Sequence, residues 1–242
     1  MKRLFAALLV LLAFCAEARA GALAVTTGAG YMKMVQELSA AYRSETAKPV
    51  EEVYGGNIGQ MLAQIEAGNG VNIVISDKGA LKTAKSGIRI AKIQPLGSTV
   101  LVLAWRKGLE LSSPNDLTGE SVKSVAYPDP KAAIYGRAAA KYLETTGLGA
   151  KIAPKLSQLS TVPQVFSYLV SKEMDAGFVN RVVVRAGAAK IGGSLEIPSG
   201  YPPIEMVAAV VEGAEGDPAV ADFLRFLSGD TAKAIMKKHG IQ

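Results

Sequence analysis

Apolar positions along this chain follow two rhythms that take turns. Short stretches at 22–27, 50–54, 71–76 and 99–105 have no helical period and read as strands. Between them apolar residues recur at three- and four-residue spacing: Met34, Val35, Leu38 and Tyr42, then Ile58, Met61, Leu62 and Ile65. That spacing puts each set on one face of a helix, over 31–46 and from 58 to 67. Asp77, just past the third run, is placed to cap a further helix. The first hundred residues therefore predict a β-α-β-α-β-α succession, the sign of a parallel sheet covered on both faces.

The rhythm restarts downstream. Strands are predicted at 123–130, 175–179 and 205–213, and helices at 135–145, over Val162, Val165, Phe166 and Leu169, and at 181–189. Asp217-Pro218 is an N-cap followed by the N1 proline that opens many helices, and a last helix covers 231–239. Two β/α sets joined by extended segments predict an α/β protein of two lobes. Each lobe is a mixed, mostly parallel sheet flanked by helices. Residues 21–103 with 204–242 form the first lobe and 104–203 the second, because the closing helices are too few for a third domain. Ligands of open α/β sheets bind outside the strand C-termini, so the cleft between the lobes is the expected site.

The first twenty residues change the picture of where the protein works. Lys2 and Arg3 precede an apolar run from Leu4 to Ala16, and Ala18-Arg19-Ala20 supplies a cleavage signal. These are the three parts of a secretory signal peptide over 1–20, with a run too short to span a membrane. Bulky Phe14 before Cys15 argues against a lipid anchor there. Cys15 is the only cysteine, so the mature chain has none; disulfides, thiolate metal sites and cysteine nucleophiles are excluded together. Loss of Lys2, Arg3, Glu17 and Arg19 with the leader lowers the formal charge from +6 to +4. The remaining basic residues are scattered, so nucleic acid is not a partner. The expectation is a soluble exported protein.

Catalytic chemistry has little to draw on. His239 is the single histidine, where a helix-ending His meets the dipole. No G-x-S-x-G, metal-ligand or calcium-loop spacing is present, so no catalytic residue, metal or cofactor is assigned. Four strand-to-helix turns say more: TTGAGY (26–31), YGGNIG (54–59), YPDPKAAIYG (127–136) and LSTVP (159–163). Small side chains or hydroxyls there leave first-turn amides open to an anion, and each helix start carries about half a positive charge. TTGAG lacks the lysine of a P-loop, so nucleotide binding is unsupported.

Several segments, in their order and spacing, resemble the periplasmic molybdate-binding proteins of ABC importers across essentially the whole mature chain. LAQIEAGNGVNIVISD (62–77) is similar to the family's I-E-x-G helix end followed by a strand closing in I-S-x-D. YPDP (127–130) matches its aspartate- or asparagine-proline turn, with Gly136 where a P-A-G tripeptide ends. KEMDAGFVNR (172–181) and FLSGDTAKAIMKKHGI (226–241) resemble its later strand and closing helix. The resemblance implies a periplasmic monomer with a type II periplasmic binding protein-like fold. It also implies a small oxyanion held between the lobes by backbone amides, two serines and a tyrosine, and passed to an ABC permease.

Carried over by position, the implied ligand set is Gly28, Ala29, Gly30 and Tyr31 in one turn and Asn57, Ile58 and Gly59 in the next. The second lobe contributes Tyr135, Gly136, Val162 and Asn180. The chain departs from the pattern where the family has hydroxyls: its serines fall at Gly30 and in the 57–59 turn, and its tyrosine at Asn180. A buried hydroxyl on a charged oxygen is worth roughly 1.5–3 kcal/mol, so the ligand stays open. The main expectation is a molybdate- or tungstate-type anion held mostly by amides. The alternatives are an organic acid, phosphonate or other metabolite on the same fold, or a sensor partner or enzyme. Arg137 and Arg181 lie one residue beyond Gly136 and Asn180 and would grip a carboxylate if they faced inward. Closure is expected to hinge near Ala104 and 200–204.

Overall fold

The computed structural model describes residues 22–56, 58–83 and 86–242; the leader with Cys15, and Asn57, lie outside the described residues. The first half runs β1 (Leu23–Thr27), a 3-10 turn (Ala29–Tyr31), α1 (Met32–Thr46), β2 (Val50–Glu52) and α2 (Ile58–Glu66). It continues with β3 (Ile73–Asp77), α3 (Lys78–Thr83), β4 (Ile90–Thr99) and β5 (Leu101–Trp105). Then come β6 (Val125–Pro128), α4 (Ile134–Thr145), α5 (Leu148–Lys151), β7 (Leu156–Leu159) and α6 (Val162–Ser171). The chain closes with β8 (Ala176–Asn180), α7 (Arg181–Gly187), β9 (Gly193–Ile197), β10 (Ile204–Val211), α8 (Pro218–Leu227) and α9 (Asp230–Lys238).

Every residue of β1, β3, β5 and β8 is buried, as largely apolar strands covered on both faces require. They sit in two five-stranded sheets, ordered β2-β1-β3-β10-β4 and β7-β6-β8-β5-β9. In each sheet four strands point one way and one opposes them: β10 against β3 and β4, β5 against β8 and β9. The opposing strand is in both cases the one that has just crossed from the other sheet. Thr99 pairs with Ile204 while Leu101 pairs with Ile197, so the two crossings run side by side. The Leu101 amide donates to Tyr201 Oη at 2.7 Å and ties one crossing to the other.

The expected boundary between 103 and 104 falls inside β5, all five residues of which pair in the second sheet. The chain passes between sheets at Val100, and Ala104 is a buried strand residue rather than part of a hinge. Strands β4, β7 and β9 were not expected. Each is partly exposed at or near an edge with mixed polarity, and β4 carries Pro95 and Gly97, so none shows an apolar run.

Helix faces follow the spacing that predicted them. Met34, Val35, Leu38 and Tyr42 of α1 are buried, and the Tyr42 ring packs edge-on against Phe223 and Phe226 of α8, with centroids 5.1 and 5.5 Å away. The closing helices thus cover the first sheet. On its other face Met61, Leu62 and Ile65 of α2 meet Val74, Val207 and Ala209. Each such side chain contributes about 1.5–3 kcal/mol by leaving water. Asp217 caps α8 through Ala219 N at 2.8 Å, and Asp77 caps α3 through Ala80 N at 2.7 Å. No helix among the described residues is long and apolar enough to cross a membrane.

Candidate functional site

Between the two sheets lies a cavity of about 40 Å³. Residues 28–31, 56, 58 and 76 line it from the first lobe, and 132–135 and 160–162 from the second. A water molecule needs roughly 10–15 Å³ of such space, so the cavity fits a compact solute of a few heavy atoms. None of the lining residues is Lys, Arg, His, Asp or Glu. Among the described residues no group of His, Cys, Asp and Glu is arranged to hold a metal ion.

The second lobe presents helix starts. After β6 the carbonyl of Asp129 accepts from Ala132 N (3.1 Å) and Ala133 N (2.8 Å), and its side chain accepts from Lys131 N at 2.8 Å. This folds the YPDP turn beneath α4. Any side chain at Gly136 would collide with the Pro128 carbonyl, so only glycine lets the first turn of α4 seat there. The first backbone bond into α4 runs from Arg137 N to Ala133 O. The amides of Ile134, Tyr135 and Gly136 precede it and have no hydrogen-bond partner among the described residues. In α6 the Thr161 hydroxyl caps Gln164 N at 3.3 Å and Pro163 has no N–H, which leaves the Val162 amide as an open donor.

The first lobe is built differently. A Cβ at Gly55 would stand 2.7 Å from Met61 N, so that glycine lets the turn pack on α2. The Gly56 carbonyl accepts from Ala29 N at 3.1 Å, and Ile58 N donates across the cleft to Ala132 O at 3.2 Å. The bare turn before α2 therefore serves packing and a bond between lobes, and its Ile58 amide is already engaged. Gly59 borders a separate recess of about 710 Å³ with Leu62, Glu66 and Arg137.

Two tyrosines meet in the cleft. The hydroxyls of Tyr31 and Tyr135 hydrogen-bond to each other, and Tyr135 Oη donates to Thr99 Oγ1 at 3.5 Å. Burial pushes both phenols above their ordinary range, so each stays a neutral hydroxyl.

Of the residues expected at the site, Gly28, Ala29, Gly30, Tyr31, Ile58, Tyr135 and Val162 line one cavity. Gly59, Gly136 and Asn180 do not. Asn180 is fully buried but committed: its Nδ2 donates to Gly30 O at 3.0 Å and its Oδ1 accepts from Val183 N at 2.9 Å. It caps α7 and holds the lobes together. Arg181 gives its fork to Glu196, at 2.5 and 2.6 Å, and a further bond to Gly240 O. Arg137 pairs with Asp77 across the cleft at 3.2 Å, outside the cavity. Ser76 is the residue that the sequence reading missed. It stood there only as a letter of a strand motif, whereas its side chain is buried on the cavity wall.

The pattern that defines the bacterial extracellular solute-binding proteins matches residues 23–242. Molybdate-binding protein ModA of Rhodobacter capsulatus is 23% identical over 240 residues, covering 97% of this chain and 93% of that protein. The solved periplasmic molybdate-binding protein of Azotobacter vinelandii superposes with a TM-score of 0.79 at 25% identity, covering 91% of this chain and 98% of the other. PEB3 of Campylobacter jejuni, solved with L-phospholactate, shares the fold with a TM-score of 0.71 at 18% identity, over 90% of this chain and 98% of its own.

Proposed function

Because the chain belongs to the bacterial extracellular solute-binding proteins, we propose that it captures a small oxyanion of the molybdate type in the interlobe cavity. It works in the periplasm after loss of its leader and hands the anion to an ABC permease without transforming it. The observation that carries this reading is that Ile134, Tyr135 and Val162, whose amides at the starts of α4 and α6 have no partner among the described residues, line a cavity without cationic side chains. Aligned helix starts and preorganised N–H groups stabilise an anion there without a counter-ion that would hold it too firmly for release. Tyr31 and Tyr135 share the same wall, their hydroxyls engaged with each other and with Thr99.

Closure follows from the same contacts. Ile58 N to Ala132 O, Tyr31 to Tyr135, Asn180 to Gly30 O and Arg137 to Asp77 all span the cleft. The side-by-side crossings at Val100 and 198–203 are the hinge about which those bonds open. An organic acid or phosphonate is the second reading. It is favoured by the serine positions lost at Gly30 and the 57–59 turn, and by the L-phospholactate held in the PEB3 fold.

A thermal-shift series with molybdate, tungstate, sulfate, phosphonates and small carboxylates tests both. A ligand at a hundred times its dissociation constant adds about 2.7 kcal/mol, a melting rise of roughly 5–10 °C for a chain of this size. The expected response is to molybdate and tungstate. A response to carboxylates or phosphonates alone replaces the first reading with the second.

A further inference from the structure

Four buried hydroxyls among the described residues have no hydrogen-bond partner: those of Thr27, Ser39, Tyr42 and Ser76. A buried polar group without a partner destabilises the fold that contains it, so each asks for a reason. Ser76 differs from the other three in one respect: it lines the interlobe cavity. It is 1% exposed and sits on a rigid strand, its backbone paired with Val207 of β10. The adjacent Asp77 does not engage it, being occupied by Ala80 N, Glu205 N and Arg137.

We propose that Ser76 is the first lobe's hydroxyl ligand, donating its proton to an oxygen of the bound anion. The inference rests on the reading of the cavity as an anion site. Where the first lobe has no serine at the expected turn positions, Ser76 near the end of β3 borders the same space. A serine donates one hydrogen bond, and a strand position holds that donor in place before the ligand arrives.

Calorimetric titration with molybdate, tungstate and sulfate, alongside melting of the unliganded proteins, decides the matter for wild type, Ser76→Ala, Ser76→Cys and Ser39→Ala. Ser76→Ala is expected to weaken binding 10- to 100-fold while the unliganded protein melts no lower than wild type, since an unpartnered hydroxyl has been removed. Ser39→Ala, the control inside α1, keeps wild-type affinity with the same or higher melting temperature. Ser76→Cys preserves the volume with a weaker donor and is expected to bind more weakly too; it decides the question if the alanine variant fails to fold. Affinity within twofold of wild type in the folded Ser76 variants overturns this inference alone. Silence of the wild type towards every oxyanion overturns it together with the anion reading.

Discussion

The two lobes face one cavity with opposite resources. The second lobe brings unengaged amides at the starts of α4 and α6, backed by well-formed turns and a Thr161 cap. The first lobe brings glycines whose neighbouring amides are engaged: Ala29 N holds Gly56 O, and Ile58 N holds Ala132 O. The second lobe therefore brings more of the unengaged amides, beside that of Gly30 in the first, whose other turn amides shape the space and join the lobes. A glycine-rich turn and a helix start look alike in sequence, but the acceptor each amide has already found separates them.

The largest expected effect comes from filling the shaped space. A Cβ at Gly30 would stand 3.0 Å from Asn180 Nδ2 and 3.8 Å from Val162 Cβ. Gly30→Val wedges the lobes apart there and is expected to weaken binding more than about 100-fold, some 2.7 kcal/mol or more. Calorimetry on a variant with an unchanged far-ultraviolet spectrum checks it; wild-type affinity would mean that closure does not bring these residues together.

Deleting single amides sharpens the comparison. Val162→Pro removes one donor at the first position of α6, where proline is tolerated, and Thr161 already has the extended backbone a following proline needs (φ −142°, ψ 159°). The expected loss is roughly 10- to 100-fold in affinity, that of a bond to a charged acceptor. Ile58→Pro removes an amide that serves Ala132 O, so its loss should be only about 2- to 10-fold. Equal losses, measured by titration with the same anion, would erase the distinction between the lobes.

Much of this arrangement was legible in the sequence, for identifiable reasons. Strands buried on both faces write themselves as apolar runs, and α1 and α2 write a helical period, so the inner strands of both sheets and these helices could be placed. Edge strand β4 was hidden because half-exposed positions, Pro95 and Gly97 leave no pattern. At the site, the turns were found as a group because glycine, proline and small residues mark them. The role of each residue was not: Asn180 looks like a ligand until its two polar atoms are seen on Gly30 O and Val183 N. Ser76 looked like strand filler because nothing local distinguishes a satisfied hydroxyl from an open one.

A second contrast between lobes concerns buried carboxylates. Asp77 in the first lobe and Asp175 in the second each have an arginine partner and backbone amides. Burial raises Asp77 above the usual carboxylate range, outweighing the Ala80 amide and Arg137. Burial pushes Asp175 the same way, but the Arg106 bond with the Lys123 and Ser124 amides prevails and holds it below that range. The stability that Asp175 contributes is thus present above its ordinary pKa and lost as pH falls through the lowered one. That of Asp77 is fully present below its ordinary pKa and lost as pH rises through the raised one. At pH 7 Asp175→Asn should cost about 1.5–3 kcal/mol, and Asp77→Asn about 1 kcal/mol or less. On acidification the second deficit should grow down to the ordinary carboxylate pKa of about 3.9, and the first should shrink only below it, as followed by urea unfolding at about pH 7, 4 and 2.5; deficits moving in parallel would contradict the contrast.

The smallest effect is expected at the residue with the most obvious chemical promise. His239 ends α9, where its Nε2 meets Glu37 Oε2 at 2.8 Å, and Lys238 Nζ bonds the other oxygen of the same carboxylate at 2.7 Å. Those two bonds hold the Glu37 carboxyl below its usual range. The pair joins α9 to α1 on a partly exposed face and takes no part in lining the cavity. His239→Ala should therefore lower stability by about 1 kcal/mol at most and leave affinity unchanged. The outcome is informative because Arg185 of α7 donates to the carbonyls of Lys237 and Lys238 at the end of the same helix, across the lobes. If loosening α9 at His239 changes affinity by more than twofold, the helix end takes part in closure, and the fastening of the lobes extends beyond the cavity walls.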